Sequence, residues 1–160
     1  MKSKLNKTID FDIESESGKK YLKNCIIDNE NIKEYTKDEI KNKTINGDSF
    51  SVLQKIKDKF VDLMIVDPPY NLSKDYHGFK FGNKDNLSYE IYTKSWIESV
   101  LPILKENASI YVCCDWKSSL IIGAVLSKYF NVQNRITWQR EKGRGAKSNW
   151  KNGMEDIWFA

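Results

Sequence analysis

Four consecutive residues, Asp67-Pro68-Pro69-Tyr70, follow the apolar run 61–66 and combine an acid, two rigid rings and a phenol. The carboxylate of Asp67 can accept a hydrogen bond from an N–H group. The two prolines fix their φ angles and have no N–H donors, so carbonyls are the polar backbone groups at this point. The ring of Tyr70 offers a flat face for stacking and a hydroxyl that can anchor it. These groups suit a planar molecule with an exocyclic NH₂ group, such as a nucleobase.

The residues before this motif predict where it lies in the fold. The run 61–66 is apolar and is bounded by charged residues and prolines, which is typical of a parallel-sheet strand buried on both faces. In open α/β sheets, ligands bind beyond the carboxyl ends of the strands. The motif occupies that place, so the sequence predicts a binding site there.

Hydrophobic patterns along the rest of the chain predict an α/β domain. Strands that alternate with helices are typical of α/β sheets with right-handed crossovers. The predicted strands are 44–46, 61–66, 109–114, 134–139 and 155–160, and the predicted helices are 18–27, 49–59, 88–105 and 119–130. We interpret 1–43 as a polar N-terminal extension, 44–160 as the main domain and 71–87 as a long loop.

Positive charge is concentrated in one segment. Residues 135–151 contain six basic residues and one acid, a net charge of +5, whereas the rest of the chain has a net charge of −1. Trp138 and Trp150 lie in the same segment, and basic residues interleaved with aromatics suit a phosphate backbone and exposed bases. A solvated basic loop, between strands that pair as a hairpin, is the alternative. The candidate nucleic-acid contacts are Arg140, Lys142, Arg144 and Lys147.

Length and composition are those of an ordinary globular protein. With 160 residues, 40% apolar and 30% charged, the chain is long enough for one domain with a substantial core. No apolar run reaches membrane-spanning length and the N-terminus lacks an apolar signal core, so we expect a cytoplasmic protein. The three cysteines have neither metal-ligand spacing nor a disulfide pattern, and we expect no metal site.

The combined pattern resembles one enzyme family. An apolar strand followed by Asp-Pro-Pro-Tyr is similar to the catalytic motif of the amino-methylating DNA methyltransferases, and INGDSFSVLQKIKDKFVDLMIVDPPYN is similar to the opening of their β-class members. The resemblance covers about 44–160. A Pro-Pro turn that merely ends a strand is the alternative. The resemblance implies an α/β, Rossmann-like S-adenosylmethionine-dependent methyltransferase fold, here with a partial sheet only.

The resemblance makes the four motif residues catalytic and implies how they act. Asp67 and the Pro68 carbonyl would accept hydrogen bonds from the two N–H groups of an amino group. Its lone pair would then point at the methyl group of S-adenosylmethionine. The base would be rotated out of the duplex, with Tyr70 stacked on one face and Trp138 a candidate for the other. A tryptophan in a strand is also typical of a core. Asp48 would hold the adenine amino group of the cofactor, cap a helix, or do both.

The resemblance also shows what the sequence lacks. The family's cofactor motif, Phe-x-Gly-x-Gly after a strand, does not occur, and neither does a target-recognition region. We interpret Gly143-Arg144-Gly145, within the basic segment, as a flexible DNA-facing loop. Within this family, an initial Asp in the motif favours adenine N6 as the methylated atom, whereas an initial Ser is typical of enzymes that methylate cytosine N4. We expect double-stranded DNA as partner, and a second chain or a missing C-terminal part as the source of the cofactor loop.

Several interpretations stay open at this point. The chain is the N-terminal part of a longer enzyme, half of a split enzyme, or a DNA-binding subunit that keeps the motif without activity. The first is favoured because the chain stops directly after the strand-like run 155–160. A basic nucleic-acid-binding module with a structural Pro-Pro turn is an interpretation from a different class. Methyl transfer to RNA or to a protein glutamine amide would use the same chemistry.

Overall fold

Residues 14–76, 79–144 and 150–160 are described in a computed structural model of the chain. The chain divides into two units, Met1–Asp58 and Lys59–Ala160. The domain boundary after residue 43 stays a prediction. Within the described ranges, none of the helices combines the length and the apolar character needed to cross a membrane.

The first unit is built from short elements around two parallel strands. Along the chain it contains α1 (Glu16–Leu22), β1 (Cys25–Ile27), α2 (Lys37–Ile40), β2 (Thr44–Asn46) and α3 (Ser49–Lys55). β1 and β2 pair in parallel, which confirms the strand predicted at 44–46. The helix predicted over 18–27 is wrong beyond Leu22, because the β-branched residues of β1 pair with β2 instead.

α3 is shorter than its apolar pattern predicts. The predicted helix is confirmed up to Lys55, where Ile56 adopts an extended conformation and forms a parallel bridge with Tyr35. At the other end, Asp48 Oδ1 accepts the Ser51 N–H at 3.0 Å. This aspartate therefore fixes where α3 begins.

An ion pair fixes Asp28 and restricts the turn between β2 and α3. Lys55 Nζ lies 2.8 Å from Asp28 Oδ1, and the Tyr35 hydroxyl donates to the same oxygen at 2.7 Å. The hydrogen bonds from Lys55 and then Tyr35 lower the pKa of Asp28. A Cβ at Gly47 would lie 2.5 Å from Asp28 Cβ, so the turn has room for glycine alone.

The second unit contains the larger sheet and the two long helices. Along the chain it contains β3 (Val61–Val66), β4 (Lys74–Tyr76), β5 (Phe79–Phe81), α4 (Asn86–Val100), a 3₁₀ turn (Leu101–Ile103), β6 (Leu104–Cys114), α5 (Trp116–Leu126), β7 (Asn134–Arg144) and β8 (Asn152–Phe159). Four strands form one sheet in the order β3-β6-β8-β7. β3 and β6 are parallel, and β8 is antiparallel to both of its neighbours, which confirms the predicted hairpin of the last two strands.

The two long helices begin at aspartate caps. Asp85 accepts the Ser88 N–H at 2.9 Å, and Asp115 accepts the Ser118 N–H at 2.8 Å. Both predicted helices are confirmed, but their predicted ends are wrong: residues 101–105 form the 3₁₀ turn and the start of β6, and 127–130 lie beyond α5. Each helix also begins earlier in the chain than its apolar residues indicate. The caps are the reason, because each carboxylate satisfies an N–H that would otherwise have no partner in the helix.

One face of the four-stranded sheet is covered by these helices. α5 packs against β6 and β8, and α4 packs against α5. The Trp158 ring of β8 lies against Gly123 of α5, and its Nε1 donates to Ser119 Oγ at 3.1 Å. Ile110 and Val112 of β6 are 1% and 0% exposed. The core of the second unit therefore lies between the sheet and the helices.

The opposite face of the sheet is open at β3. Leu63 and Ile65 are 55% and 71% exposed, whereas Met64 and Val66, which lie opposite the buried residues of β6, are half-buried. The parallel pairing predicted for 61–66 is confirmed. The prediction that this strand is buried on both faces is wrong, because helices pack on one side of the sheet among the described residues.

Two segments interpreted as loops form strands. β4 and β5 pair antiparallel within the loop predicted at 71–87. Gly143 and Arg144 form the end of β7, whereas Gly145 lies outside the described residues. β4 and β5 span three residues each, which is too short for an apolar alternation to indicate a strand.

Gly123→Ala is expected to destabilise the second unit. The added Cβ would lie 2.4 Å from Trp158 Cζ2, so the ring or the helix must shift. Overpacking costs about 1–3 kcal/mol, which exceeds the roughly 1 kcal/mol that alanine gains over glycine in a helix. Thermal unfolding followed by near-ultraviolet circular dichroism should show a lower Tm. Gly82→Ala, whose added Cβ meets nothing within 4 Å, is the control; equal Tm values for the two variants would contradict the close packing.

Candidate functional site

The Asp-Pro-Pro-Tyr motif lies at the carboxyl end of β3, as the sequence predicts. Asp67 is exposed, Pro68 is buried, and Pro69 and Tyr70 are half-buried. The chain turns sharply after the motif, because the Leu72 N–H donates to the Tyr70 carbonyl at 2.6 Å. The carboxylate is thus presented to solvent on a turn whose first proline is anchored in the interior.

The carbonyls of the two prolines have different environments. The hydroxyl of Tyr89 in α4 donates to the Pro69 carbonyl at 3.0 Å, and Tyr89 is 0% exposed. No donor within the described ranges is bonded to the Pro68 carbonyl. The Pro69 oxygen is therefore engaged by the protein. The role of the Pro68 oxygen as an acceptor for an amino group stays a prediction.

Asn71 ties the motif to two further parts of the unit. Its Nδ2 donates to the Lys84 carbonyl at 2.8 Å, and its Oδ1 accepts the Lys84 N–H at 2.7 Å. Its backbone N–H donates to Ser118 Oγ in α5 at 3.0 Å. Together with Tyr89, these bonds hold the turn from α4, from α5 and from the segment before α4. The acceptors beside the motif therefore have a fixed geometry before any ligand binds.

Asp67 and Tyr70 are linked through the phenol. Burial raises the pKa of Tyr70, and a hydrogen bond to the Asp67 carboxylate and the charge of that carboxylate raise it further. The phenol consequently stays protonated near neutral pH and can donate to the acid. The phenol of Tyr70 therefore lies close to the Asp67 carboxylate.

The cysteines next to the motif are not nucleophiles. Burial raises the pKa of Cys113, and the neighbouring charge of Asp67 raises it further. Burial raises the pKa of Cys114 to about 12. Because the thiolate is the reactive form of cysteine, neither side chain can attack a substrate near neutral pH. Both thiols therefore stay protonated near neutral pH.

A cavity of about 370 Å³ lies beside the motif. Its walls are formed by residues 71–73, by the segment before α4 and by the start of α5. Lys84 and Lys117 line it and give it positive charge. A cavity lined by two lysines suits phosphate oxygens.

Trp138 lies on the same face of the sheet as Ile65, two residues before Asp67. It is 60% exposed, so the alternative of a core tryptophan is wrong. β6 and β8 separate its strand from β3, which at about 4.8 Å per strand places the two strands roughly 14 Å apart. The stacking role of Trp138 stays a prediction.

The predicted DNA contacts lie on and beyond β7. Arg140 forms an ion pair with Glu155 of β8, and its side chain is 27% exposed. Lys142 and Arg144 belong to the last part of β7, and Lys147 lies outside the described residues. The role of these four residues in binding DNA stays a prediction. The charge of Arg140 is partly neutralised by its ion pair with Glu155.

Asp48 belongs to the first unit, where it is exposed directly after β2. The interpretation of this acid as a helix cap is confirmed by its bond to Ser51. Its other carboxylate oxygen, Oδ2, is not used in that bond. The cofactor role of Asp48 stays a prediction.

The residues that hold the motif carry little signal in the sequence. Tyr89 lies 20 positions from Pro69, and Ser118 lies 47 positions from Asn71. The one local sign is a polar group on the buried side of a helix, as both residues are almost completely buried. Such groups need a hydrogen-bond partner, but the sequence does not indicate which one.

Comparison with protein families gives two overlapping matches. Residues 61–160 match the DNA methylase family, and residues 10–110 match the D12 class N6 adenine-specific DNA methyltransferases. Each match covers more than half of the chain and includes the Asp-Pro-Pro-Tyr motif.

Curated proteins similar to the chain are methyltransferases. The chain is 35% identical over 121 residues to the Type II methyltransferase M1.MboII of Moraxella bovis. This alignment covers 74% of this chain and 45% of the relative. It is 31% identical to the Type II methyltransferase M.HpaI of Haemophilus parainfluenzae, over 71% of this chain and 36% of the relative. It is 30% identical to the DNA adenine methyltransferase YhdJ of Escherichia coli (strain K12), over 71% and 38%. The chain therefore spans less than half the length of these relatives.

A solved structure supports the fold. The cytosine-N4-specific PvuII DNA methyltransferase matches with a TM-score of 0.56 at 16% sequence identity, over 72% of this chain and 47% of that one. The predicted Rossmann-like methyltransferase fold, with a partial sheet, is confirmed.

Tyr89→Phe is expected to loosen the turn after the motif. The substitution removes the donor to the Pro69 carbonyl, at a cost of about 1 kcal/mol. Hydrogen exchange measured by mass spectrometry should become faster at residues 71–72, whose N–H groups depend on this turn. Tyr129→Phe, which removes a phenol bonded to a surface acid, is the matched control. Unchanged exchange at 71–72 in Tyr89→Phe would contradict the bracing role.

The second unit is expected to lose stability at alkaline pH through the same tyrosine. Burial raises the pKa of Tyr89 from 10.0 to about 12. The folded state holds the phenol proton of Tyr89 more tightly than the unfolded state. The contribution of this proton to the free energy of unfolding is therefore complete below pH 10 and is lost as pH rises through 12. The urea midpoint should therefore fall in that interval, and less steeply in Tyr89→Phe. Identical pH profiles for the two proteins would rule out this contribution.

Proposed function

We propose that this chain, which belongs to the DNA methylase family, carries the catalytic motif of an enzyme that methylates the exocyclic amino group of a base in double-stranded DNA. The proposed methyl donor is S-adenosylmethionine, and the favoured target is adenine N6. The observation that carries the proposal is the pair of acceptors after β3. There the exposed Asp67 carboxylate lies next to the Pro68 carbonyl, which has no donor within the described ranges.

The two acceptors suit the chemistry of an NH₂ group. An exocyclic amino nitrogen is a poor nucleophile, because its lone pair is delocalised into the base. Asp67 and the Pro68 carbonyl each accept a hydrogen bond from one N–H of this group. These bonds draw the nitrogen towards tetrahedral geometry and localise its lone pair. The Asp67 carboxylate also stabilises the positive charge that develops on this nitrogen, which loses one proton to solvent once it carries the methyl group. S-adenosylmethionine, when bound, supplies a methyl group carried by a positively charged sulfur.

Tyr70 is proposed to hold the target base. A base inside a duplex cannot reach the motif, so it must be rotated out of the stack. The Tyr70 ring, whose phenol lies close to the Asp67 carboxylate, offers one stacking face beside the acceptors. Pro69 keeps the turn rigid, and Trp138, exposed on the open side of the sheet, is proposed for the other face of the base.

The residues present fit one part of the cofactor. Asp48 is exposed and uses one oxygen for its cap, so the other can accept a hydrogen bond from the adenine amino group of the cofactor. No Phe-x-Gly-x-Gly sequence occurs in the 160 residues, and Gly143 lies within β7. The methionine part of the cofactor is therefore proposed to be held by a polypeptide segment that these residues do not include.

DNA is proposed to approach the carboxyl ends of β3 and β6. β7 runs towards the same end of the sheet, because it is antiparallel to β8 and β8 is antiparallel to β6. Basic side chains at one end of a sheet attract the phosphate backbone, and this attraction weakens with salt. The proposed contacts are Arg140, Lys142, Arg144 and Lys147, to which the structure adds Lys84 and Lys117.

Adenine is favoured over cytosine by two comparisons. One matching family is N6 adenine-specific, and YhdJ is a DNA adenine methyltransferase. The cytosine-N4-specific PvuII enzyme shares only the fold with this chain. Cytosine N4 stays the alternative, as does a split or non-catalytic DNA-binding subunit. Because the proposed substrate is DNA, we propose a cytoplasmic location.

Asp67→Ala is expected to abolish methyl transfer. The purified chain, alone and co-expressed with the part of M1.MboII that it does not match, is incubated with labelled S-adenosylmethionine and mixed-sequence duplex DNA. Digestion of the DNA should place the label on adenine N6. Removal of one stabilising group typically lowers the rate by about 10²–10³-fold. Glu106→Ala, which removes a 94% exposed acid near the other end of the sheet, is the control and should keep full activity.

Each outcome decides one part of the proposal. Label on cytosine N4 would replace adenine as the target. Full activity in Asp67→Ala would remove this residue from the chemistry. Folded protein that binds DNA and transfers no label in either preparation would favour the DNA-binding subunit.

A further inference from the structure

The cavity beside the Asp-Pro-Pro-Tyr motif, called the lysine cavity, has the features of an anion site. The described residues that line it include two lysines, Lys84 and Lys117, and no acid. Neither lysine forms an ion pair within the described part of the chain. Each ammonium instead lies near an aromatic ring: Lys84 Nζ is 5.3 Å from the Phe81 ring centroid, and Lys117 Nζ is 5.5 Å from that of Trp116. Because a ring contact uses no oxygen acceptor, both ammonium groups can still bind an anion.

The acids nearest to these lysines in the chain cap the two long helices. Asp85 accepts the Ser88 N–H at 2.9 Å, and Asp115 accepts the Ser118 N–H at 2.8 Å. Neither of these acids is among the lining residues. The first turns of α4 and α5 do contribute to the wall, through Asn86 and Ser118, and the start of a helix carries partial positive charge. The charge of the lysine cavity is therefore not cancelled by a lining acid.

One residue connects the lysine cavity to the motif. Asn71 directly follows Tyr70 and lines the cavity. Its side chain holds both backbone groups of Lys84, because Oδ1 accepts the N–H at 2.7 Å and Nδ2 donates to the carbonyl at 2.8 Å. Its own N–H donates at 3.0 Å to Ser118, the neighbour of Lys117. The backbones of both lysines are therefore fixed relative to the motif.

A phosphodiester group fits these features. It has two non-bridging oxygens that share one negative charge, so two ammonium groups can each donate to one oxygen. The cavity volume of about 370 Å³ is larger than a phosphate needs and leaves room for the adjoining sugar. In a nucleic acid, each base is joined to its phosphates through a single sugar. A base held at the motif therefore brings a phosphate close to Asn71, where the cavity begins.

We propose that the lysine cavity binds one phosphodiester group of DNA, the group adjacent to the nucleotide whose base is held at Asp67 and Tyr70. Lys84 and Lys117 each donate to one non-bridging oxygen of this group. They thus hold a single phosphate at a fixed place relative to the two acceptors, which sets how far the base enters the site. The choice of DNA as the ligand rests on the proposed function, whereas the anion-binding character of the cavity does not.

A duplex with neutral linkages tests the contact. By fluorescence anisotropy, the full chain is titrated against a duplex with one mismatched adenine, because a mismatched base leaves the stack most easily. A second duplex carries uncharged methylphosphonates at the two linkages that flank this adenine. The chain should bind it about tenfold more weakly or worse, since hydrogen bonds to a charged group are lost. Because binding is measured, a chain that discriminates between the duplexes but transfers no methyl group would count against the proposed function alone.

Substitution of the two lysines localises the effect. The double variant Lys84→Met with Lys117→Met removes both charges and keeps the apolar stems. It should bind both duplexes equally, with the weakened affinity that the unsubstituted chain has for the neutral one. The slope of log affinity against log salt should become less steep by about 0.9, the value for one phosphate. Because the two lysines share that phosphate, the losses in the single variants should not add.

Lys59→Met is the matched control. The side chain of Lys59 is 54% exposed and precedes β3, at the opposite end of the sheet from the motif. This variant also removes one lysine charge, but it should bind both duplexes as the unsubstituted chain does. Circular dichroism verifies that every variant is folded.

Four results would overturn the proposal. No binding, or equal affinity of the folded chain for the two duplexes, would show that the flanking phosphates are not held. A methylphosphonate effect that persists in the double variant would place their contact elsewhere. A change in slope of about 1.8 would mean that the lysines hold separate phosphates. Slower hydrogen exchange at residues 71, 72 and 84 with inorganic phosphate, and none with DNA, would make a free anion the ligand.

Discussion

The site depends on one hydrogen bond, from the buried Tyr89 hydroxyl to the Pro69 carbonyl. Two prolines remove two backbone donors from the turn after β3, so side chains from other elements hold it together with the Leu72–Tyr70 backbone bond. Tyr89 does this from α4, and Asn71 continues the connection to α5 through Ser118. The packing of α4 and α5 against the sheet therefore also sets the geometry of the Asp-Pro-Pro-Tyr turn at the carboxyl end of β3.

The position of the motif could be predicted from the sequence, because a strand, its proline stop and an acid are adjacent in the chain. The strands and helices of the second unit follow from apolar patterns for the same reason. The partners of the motif could not be predicted, since Tyr89 and Ser118 reach it only through tertiary packing. The β4–β5 pair could not be predicted because its strands have only three residues each, too few for a period-two pattern to be recognised.

The exposure of β3 could not be predicted for a different physical reason. An apolar run such as 61–66 is typical of a strand that is covered on both faces. Among the described residues, only one face of this strand is covered. The buried side, with Met64 and Val66 facing the core, agrees with the sequence. The difference between sequence and structure is thus confined to the face and the edge that lack a covering layer.

The placement of β8 has a consequence for how the second unit folds. β8 lies between β6 and β7 although it follows both in the chain, and β7 has no other strand neighbour within the described ranges. During synthesis, β7 leaves the ribosome before the strand to which it pairs, and β6 keeps an open edge until β8 has been made. The ring of Trp158 also reaches Gly123 only at that stage. The β6–β8 and β8–β7 pairings therefore form only after β8 has been made, and the edge of β6 is exposed to other chains until then.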